Sequence, residues 1–166
     1  MKKINIMAAA LVGLLAFASC DADRDDNPIM SVPESFNLLK PEMGDNIIDL
    51  KSSEYVQFKA EKAADYGFPT ETSYWIQIAG EDNADFKNKE RIFSTSTKGN
   101  SITYNAPANE FDLCVMKVKG WEDESQVETD KPITLNVRMV SGPKNLNDSA
   151  NYVYTNVQQV KIYPYF

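Results

Sequence analysis

Two tryptophans, two runs of carboxylates and a mid-chain cysteine are the side chains of this sequence best suited to chemistry or contact. Trp75 lies in Ser73-Tyr74-Trp75-Ile76-Gln77-Ile78. Strand alternation puts Tyr74, Ile76 and Ile78 on one face and Trp75 with Gln77 on the other. An indole turned away from the core stacks on sugar rings or anchors a protein interface. The competing reading packs it under a loop or against a neighbouring strand. Trp121 precedes Glu122-Asp123-Glu124, and reads equally as a lid over the core or as a contact residue.

The carboxylates gather at Glu81-Asp82-Asn83-Asp85 and at Glu122-Asp123-Glu124. Hard oxygen ligands hold calcium, yet neither run has the spacing of a calcium loop, so both read as solvated surface. The chain contains no histidine. That removes the commonest general base and metal ligand, and with them nucleophile–histidine hydrolases and His-bearing zinc sites. Carboxylate pairs for glycoside hydrolysis find no distinctive frame here. The expectation is a protein that is not an enzyme and uses neither metal nor cofactor. Cys114 reads as a small buried hydrophobe, with a reactive thiol as the alternative.

The elements that must position these groups are mostly strands. Ser35 to Pro41 predicts a short edge strand, with Pro33 and Pro41 where a missing N–H is harmless. Ile47 to Leu50 leads into Glu54–Glu61, where Val56, Phe58 and Ala60 alternate with Gln57, Lys59 and Glu61. A tight corner at Ala64-Asp65-Tyr66-Gly67-Phe68-Pro69 precedes a central strand over 73–79. Phe86 is the apolar anchor of the polar connection that follows. Arg91–Thr95 and Ser101–Tyr104 predict two short strands, with Lys98-Gly99-Asn100 as the turn between them.

Phe111, Val115 and Val118, with Cys114 on the same stripe, predict one amphipathic helix over Asn109–Lys119, covering the end of a sandwich. Asn109 is its expected cap and Gly120 its stop. Ile133–Val140 has the cleanest alternation, Gly142–Asn145 turns, and Tyr154–Tyr163 supplies the last strand. There Val157 and Val160 break step, which predicts a bulge or a register change near Gln158-Gln159. About seven short strands, with one short helix before the last two, predict an all-β fold, an antiparallel β-sandwich.

The N-terminus carries an address. Met1-Lys2-Lys3 is a short positive region, Ile4 to Phe17 an apolar one, and Ala18-Ser19-Cys20 closes it. The run is too short and abrupt for a membrane-spanning helix. It resembles a bacterial lipoprotein signal, in which Cys20 is lipidated and becomes the first mature residue; an ordinary secretory signal is the alternative. The expected organisation is a signal over 1–19, an acidic flexible tether over 20–32, and one domain over 33–166. Removing Lys2 and Lys3, the only charged residues of 1–19, takes the net charge from −7 to −9. A surface so acidic repels phosphate backbones, so no nucleic-acid partner is expected.

The corner ADYGFP with SYWIQI resembles the N-terminal domain of the SusE family of Bacteroidetes outer-membrane lipoproteins. The resemblance extends to Phe36-Asn37-Leu38, Asp85-Phe86, the helix ending at Gly120, Tyr154-x-Asn156 and Val160-x-Ile162-x-Pro164-Tyr165. It implies an immunoglobulin- or fibronectin-III-like sandwich in a polysaccharide (starch-like) utilisation system. Asp21-Ala22-Asp23-Arg24-Asp25-Asp26 resembles the export signal of surface lipoproteins of that phylum, implying the outer face of the outer membrane. Two functions follow from the resemblance. One is an accessory module that captures a polysaccharide or oligosaccharide. The other is a lipid-tethered spacer or docking partner of a TonB-dependent transporter complex. Larger members carry further carbohydrate-binding domains after this one, and there the N-terminal domain resembles a spacer. Location and fold therefore carry over by resemblance, and a binding site does not.

Overall fold

The computed structural model describes residues 29–41, 46–93, 102–144 and 148–165. The chain divides into an N-terminal segment, Met1–Met30, and a unit over Ser31–Phe166. Lipid attachment at Cys20 and the turn at 98–100 lie outside the described residues.

The unit is built around strand β3 (Thr72–Gly80), whose sequence TSYWIQIAG is buried on both faces. Such a strand needs neighbours on both edges and cover above and below. It pairs antiparallel with β4 (Lys89–Phe93) on one side and with β6 (Ile133–Pro143) on the other. The sheet continues through β8 (Gln158–Tyr163) to β1 (Ile47–Asp49), with β7 (Val153–Tyr154) also on β6. β2 (Tyr55–Ala60) has the opposite character: Val56, Phe58 and Ala60 are buried while Tyr55, Gln57 and Lys59 face solvent. It pairs antiparallel with β5 (Ile102–Pro107) in a second sheet of two strands. The result is an all-β sandwich.

Several expectations change in detail. β4 and β5, expected as strands either side of one turn, belong to different sheets. β6 runs through Gly142 to Pro143, where a turn was expected, because Thr72 and Ser73 pair there. β1 runs parallel to β8, in register Ile47↔Lys161 to Asp49↔Tyr163, whereas the other ladders among the described residues are antiparallel.

The segment Ser35–Pro41 forms no ladder but straddles both sheets. Phe36 bridges to Thr155, and Leu38 to Ala60. The far side of Leu38 is occupied by side chains: its N–H donates to Asn156 Oδ1 at 2.7 Å, while Asn156 Nδ2 and Gln158 Nε2 donate to its carbonyl at 3.2 and 3.0 Å. Amide side chains complete the pairing that a strand would otherwise supply.

The bulge falls earlier than expected. β7 and β8 both pair with β6, but Arg138 and Met139 face three residues, Thr155 to Val157. Thr155 Oγ1 accepts from the Met139 N–H at 2.9 Å and its own N–H reaches the Met139 carbonyl, so the kink costs no buried backbone bond.

Helix α1 (Ala108–Lys119) lies against β2, β3, β4 and β5, bridging the two sheets. Phe111 is fully buried and stacks on Phe58 at 6.1 Å and 20°. Asn109 does not cap it; the helix starts directly after Pro107 with no side-chain cap. The chain enters straight from β5, which leaves no room for a capping turn. Gly120 ends it as expected, in the left-handed region at φ 69°, and the N–H groups of Gly120 and Trp121 close on the Lys117 and Met116 carbonyls.

The corner after β2 is held by Tyr66. Its hydroxyl reaches Ser141 Oγ at 3.2 Å and the Asn151 carbonyl at 3.3 Å. Gly67 adopts φ 76°, and its N–H is taken by Asp65 Oδ1 at 2.9 Å. These contacts tie the corner to β6 across 75 residues of chain.

Candidate functional site

Trp75 is where the alternation puts it, on the face of β3 opposite Tyr74 and Ile76, but that face is covered. The indole is 3 % exposed and meets Tyr152 edge-on at 4.9 Å and 79°. Gly142 lies close against both rings: a Cβ there would stand 2.7 Å from Tyr152 Cδ1 and 3.3 Å from Trp75 Cη2. Farther along, Gln77 accepts from Arg138 Nε at 2.9 Å. The Arg138 guanidinium sits 4.1 Å from the rings of both Phe86 and Tyr154. Burial lowers its pKa, and the two ring faces offset part of the lost hydration. Phe86 is fully buried, as its anchor role requires, and reaches the stack with φ 58°. Asn136 Nδ2 donates to the carbonyls of Gly80 and Glu81 at 2.9 and 3.0 Å. This face is a second small core, roofed by the segments around Phe86 and Tyr152–Tyr154. In this packing Trp75 offers no ring face to a ligand.

Trp121 is half-buried just beyond Gly120, with Lys119 Nζ 5.8 Å from its ring. The structure does not bring it together with Trp75. The two acidic runs face solvent: Glu81, Asp82, Asp85 and Glu122 to Glu124 are all exposed. Asp85 pairs with Lys87 at 2.7 Å on the open surface, and that contact lowers its pKa. Among the described residues no group of three or more acids, cysteines or histidines is arranged to hold a metal ion. Cys114 is buried on α1, and desolvation pushes its thiol up to about 11, so the small-hydrophobe reading fits its position.

Concave surface with polar and aromatic lining appears elsewhere, at the end of β8. Tyr163 and Tyr165 are both half-buried, with the buried Pro164 between them. Asp49 and Lys51 come from the end of β1, and Glu124 and Thr129 from the loop after α1. Together these seven residues line a shallow cleft of about 530 Å³. Each wall has a local cause. The parallel register sets Asp49 beside Tyr163, and the Leu50 N–H continues the ladder to the Tyr163 carbonyl. Asp49 is fixed in a turn, taking the Lys51 N–H at 3.1 Å and Ser52 Oγ at 2.9 Å. A single turn of helix over Glu124–Gln126 orients Glu124; Asp123 and Gln126 close it as a capping box.

Tyr165 is pinned from behind by Asp112, whose Oδ1 accepts its N–H at 3.1 Å. Asp112 is 5 % exposed, and burial raises its pKa, offset in part by that N–H. The folded chain therefore holds this proton more tightly than the unfolded one, and stability falls as pH rises from the ordinary value of 3.8 through the folded one. Asp112→Asn keeps an oxygen for Tyr165 without the buried charge. Its melting temperature is expected to exceed the parent's at neutral pH, with the parent's decline on leaving the acid range reduced. Thermal melts across that range check this; equal slopes for the two proteins would contradict it.

Of these residues, Glu124 stood out from sequence as part of an acidic run, and Pro164-Tyr165 only as part of the family motif. The signal that could have found the tyrosines is their i, i+2 spacing in Tyr163-Pro164-Tyr165. Nothing local marks Asp49, which only the parallel register brings to them.

Comparison with known proteins decides the family. The model of the SusE outer membrane protein family matches residues 23–140, more than half of the chain. The chain belongs to the SusE family. No solved structure matches it. The matched span runs from the acidic segment through Trp75 and α1 into β6, so it covers the corner at Tyr66 and both tryptophans. As a SusE-family member the protein is assigned to the outer membrane. No described helix is long and apolar enough to cross a membrane.

Proposed function

We propose that this protein is a surface-exposed outer-membrane lipoprotein, anchored through Cys20, that acts as an accessory glycan-binding module of a polysaccharide (starch-like) utilisation system. The observation that carries this reading is the SusE family match. Support comes from the signal over 1–19 and the acidic tether over 20–32, which lead to a domain over 33–166. Its immunoglobulin-like type is supported by the parallel pairing of an early edge strand, β1, with the last strand, β8. In this reading the protein performs no catalysis, and Trp121 remains a contact candidate while Trp75 serves packing.

The burial of Trp75 favours a second reading, because it withdraws the best stacking residue from the surface. Here the module is a tethered spacer or docking partner of a TonB-dependent transporter complex and touches no glycan. Titration of the full-length protein, purified in detergent, with a panel of soluble oligosaccharides separates the two. Saturable binding is expected from the capture module; co-purification of a transporter without binding to any glycan would favour the spacer. Protease treatment of intact cells tests the surface address, since survival of the protein while known surface proteins are cut would sink it.

A further inference from the structure

The cleft at the end of β8 has the composition that a neutral sugar requires, and we propose that Tyr163 and Tyr165 form a stacking shelf for a neutral oligosaccharide. This rests on the glycan-capture reading and assigns to it a contact surface and a ligand class. At about 530 Å³ the cleft is within the size range of small-ligand sites. Its two tyrosines are each partly exposed and flank a buried proline, so each presents some area without being free to collapse into the core. The Tyr163 backbone is held by the β1 ladder and the Tyr165 N–H by Asp112, so little ordering is left to ligand binding.

The polar rim has the complementary chemistry. Asp49, Glu124 and Thr129 are exposed acceptors for sugar hydroxyls, and Lys51 is an exposed donor. Lys51 and Glu124 form no ion pair among the described residues, so neither must break one to meet a ligand. Charge decides the class. Two carboxylates on the rim, on a chain of net charge −7, repel uronate-rich polymers and leave neutral hydroxyl-bearing sugars favoured. The cleft of about 310 Å³ between Leu39–Pro41 and β2 contrasts with this one: it offers a single aromatic, Tyr55, beside aliphatic Leu39 and Ile48, and no carboxylate.

The test uses the full-length protein in detergent with neutral oligosaccharides of glucose, mannose, galactose and xylose, beside polygalacturonate. Binding to at least one neutral oligosaccharide is expected, with none to polygalacturonate. Tyr163→Ala and Tyr165→Ala are each expected to weaken it about tenfold or more, as the loss of one stacked ring implies. Tyr163→Phe and Tyr165→Phe keep the rings and are expected to retain most of the affinity, which separates stacking from folding. Glu124→Gln, on an exposed turn, is expected to weaken binding by a smaller factor with an unchanged melting temperature. Neutral-glycan binding unaltered in all of these variants would overturn the shelf while leaving the capture function standing. Preference for polygalacturonate would overturn the ligand class. Absence of binding to every glycan would remove both this inference and the capture reading.

Discussion

Replacing Trp75 with alanine is expected to lower the unfolding free energy by about 3–5 kcal/mol and to leave unchanged any glycan affinity of the folded protein. The indole is 3 % exposed, edge-on to Tyr152 at 4.9 Å, with Gly142 packed against both rings. Neither neighbour can move in to fill the hole. The Gly142 backbone belongs to a β6 ladder paired with β3, and Tyr152 follows the short helical turn over Ser149–Asn151. The vacated volume therefore persists as a cavity, and the cost falls at the upper end for an aromatic truncation. Against a typical total of roughly 5–15 kcal/mol, that brings the variant close to unfolding at growth temperature. Denaturant titration measures it. A loss below about 1 kcal/mol would mean the indole is not packed as described, and a fall in glycan affinity with an intact fold would return Trp75 to the binding surface.

The second large effect is expected at Phe111. Phe111→Ala should cost about 3–5 kcal/mol, and Phe111→Leu appreciably less, because leucine refills part of the space. Phe111 is fully buried and stacked on Phe58 of the two-stranded sheet, while α1 also lies on β3 and β4 of the larger one. A pair of strands with one wet face is marginal alone and depends on what packs beneath it. Truncation removes the ring that fills the junction of both sheets with the helix. The loss should appear as one cooperative transition at lower denaturant, seen alike by far-ultraviolet dichroism and tryptophan fluorescence. Two separated transitions would mean that the sheets unfold independently and that α1 does not couple them.

The legible parts of the fold were those with short-range periodicity. Val56, Phe58 and Ala60 on β2, and Ile133, Leu135, Val137 and Met139 on β6, point inward as their alternation requires. Gly120 ends α1 because a left-handed residue is needed there and glycine supplies it without strain. Asn109 misled, because a cap preference is worth about 1 kcal/mol and the direct entry from β5 overrides it. The bulge was detectable from Val157 and Val160 but fell earlier, where Thr155 can bond both backbone groups of Met139.

Functional residues followed the same division. Residue chemistry alone determined that the chain has no histidine to act as base or ligand and that its charge is acidic. Its ordered motifs pointed to the family that the comparison shows. Tertiary structure decided which face of β3 is covered, because the roof over Trp75 comes from Tyr152, some seventy-seven residues later in the chain. It also decided that Asp49, Glu124, Tyr163 and Tyr165 share one cleft. Alternation says only that successive side chains point to opposite faces. Which distant segment then covers a face, and which leaves it open, depends on strand order and register, and these are set by the packing of the whole domain.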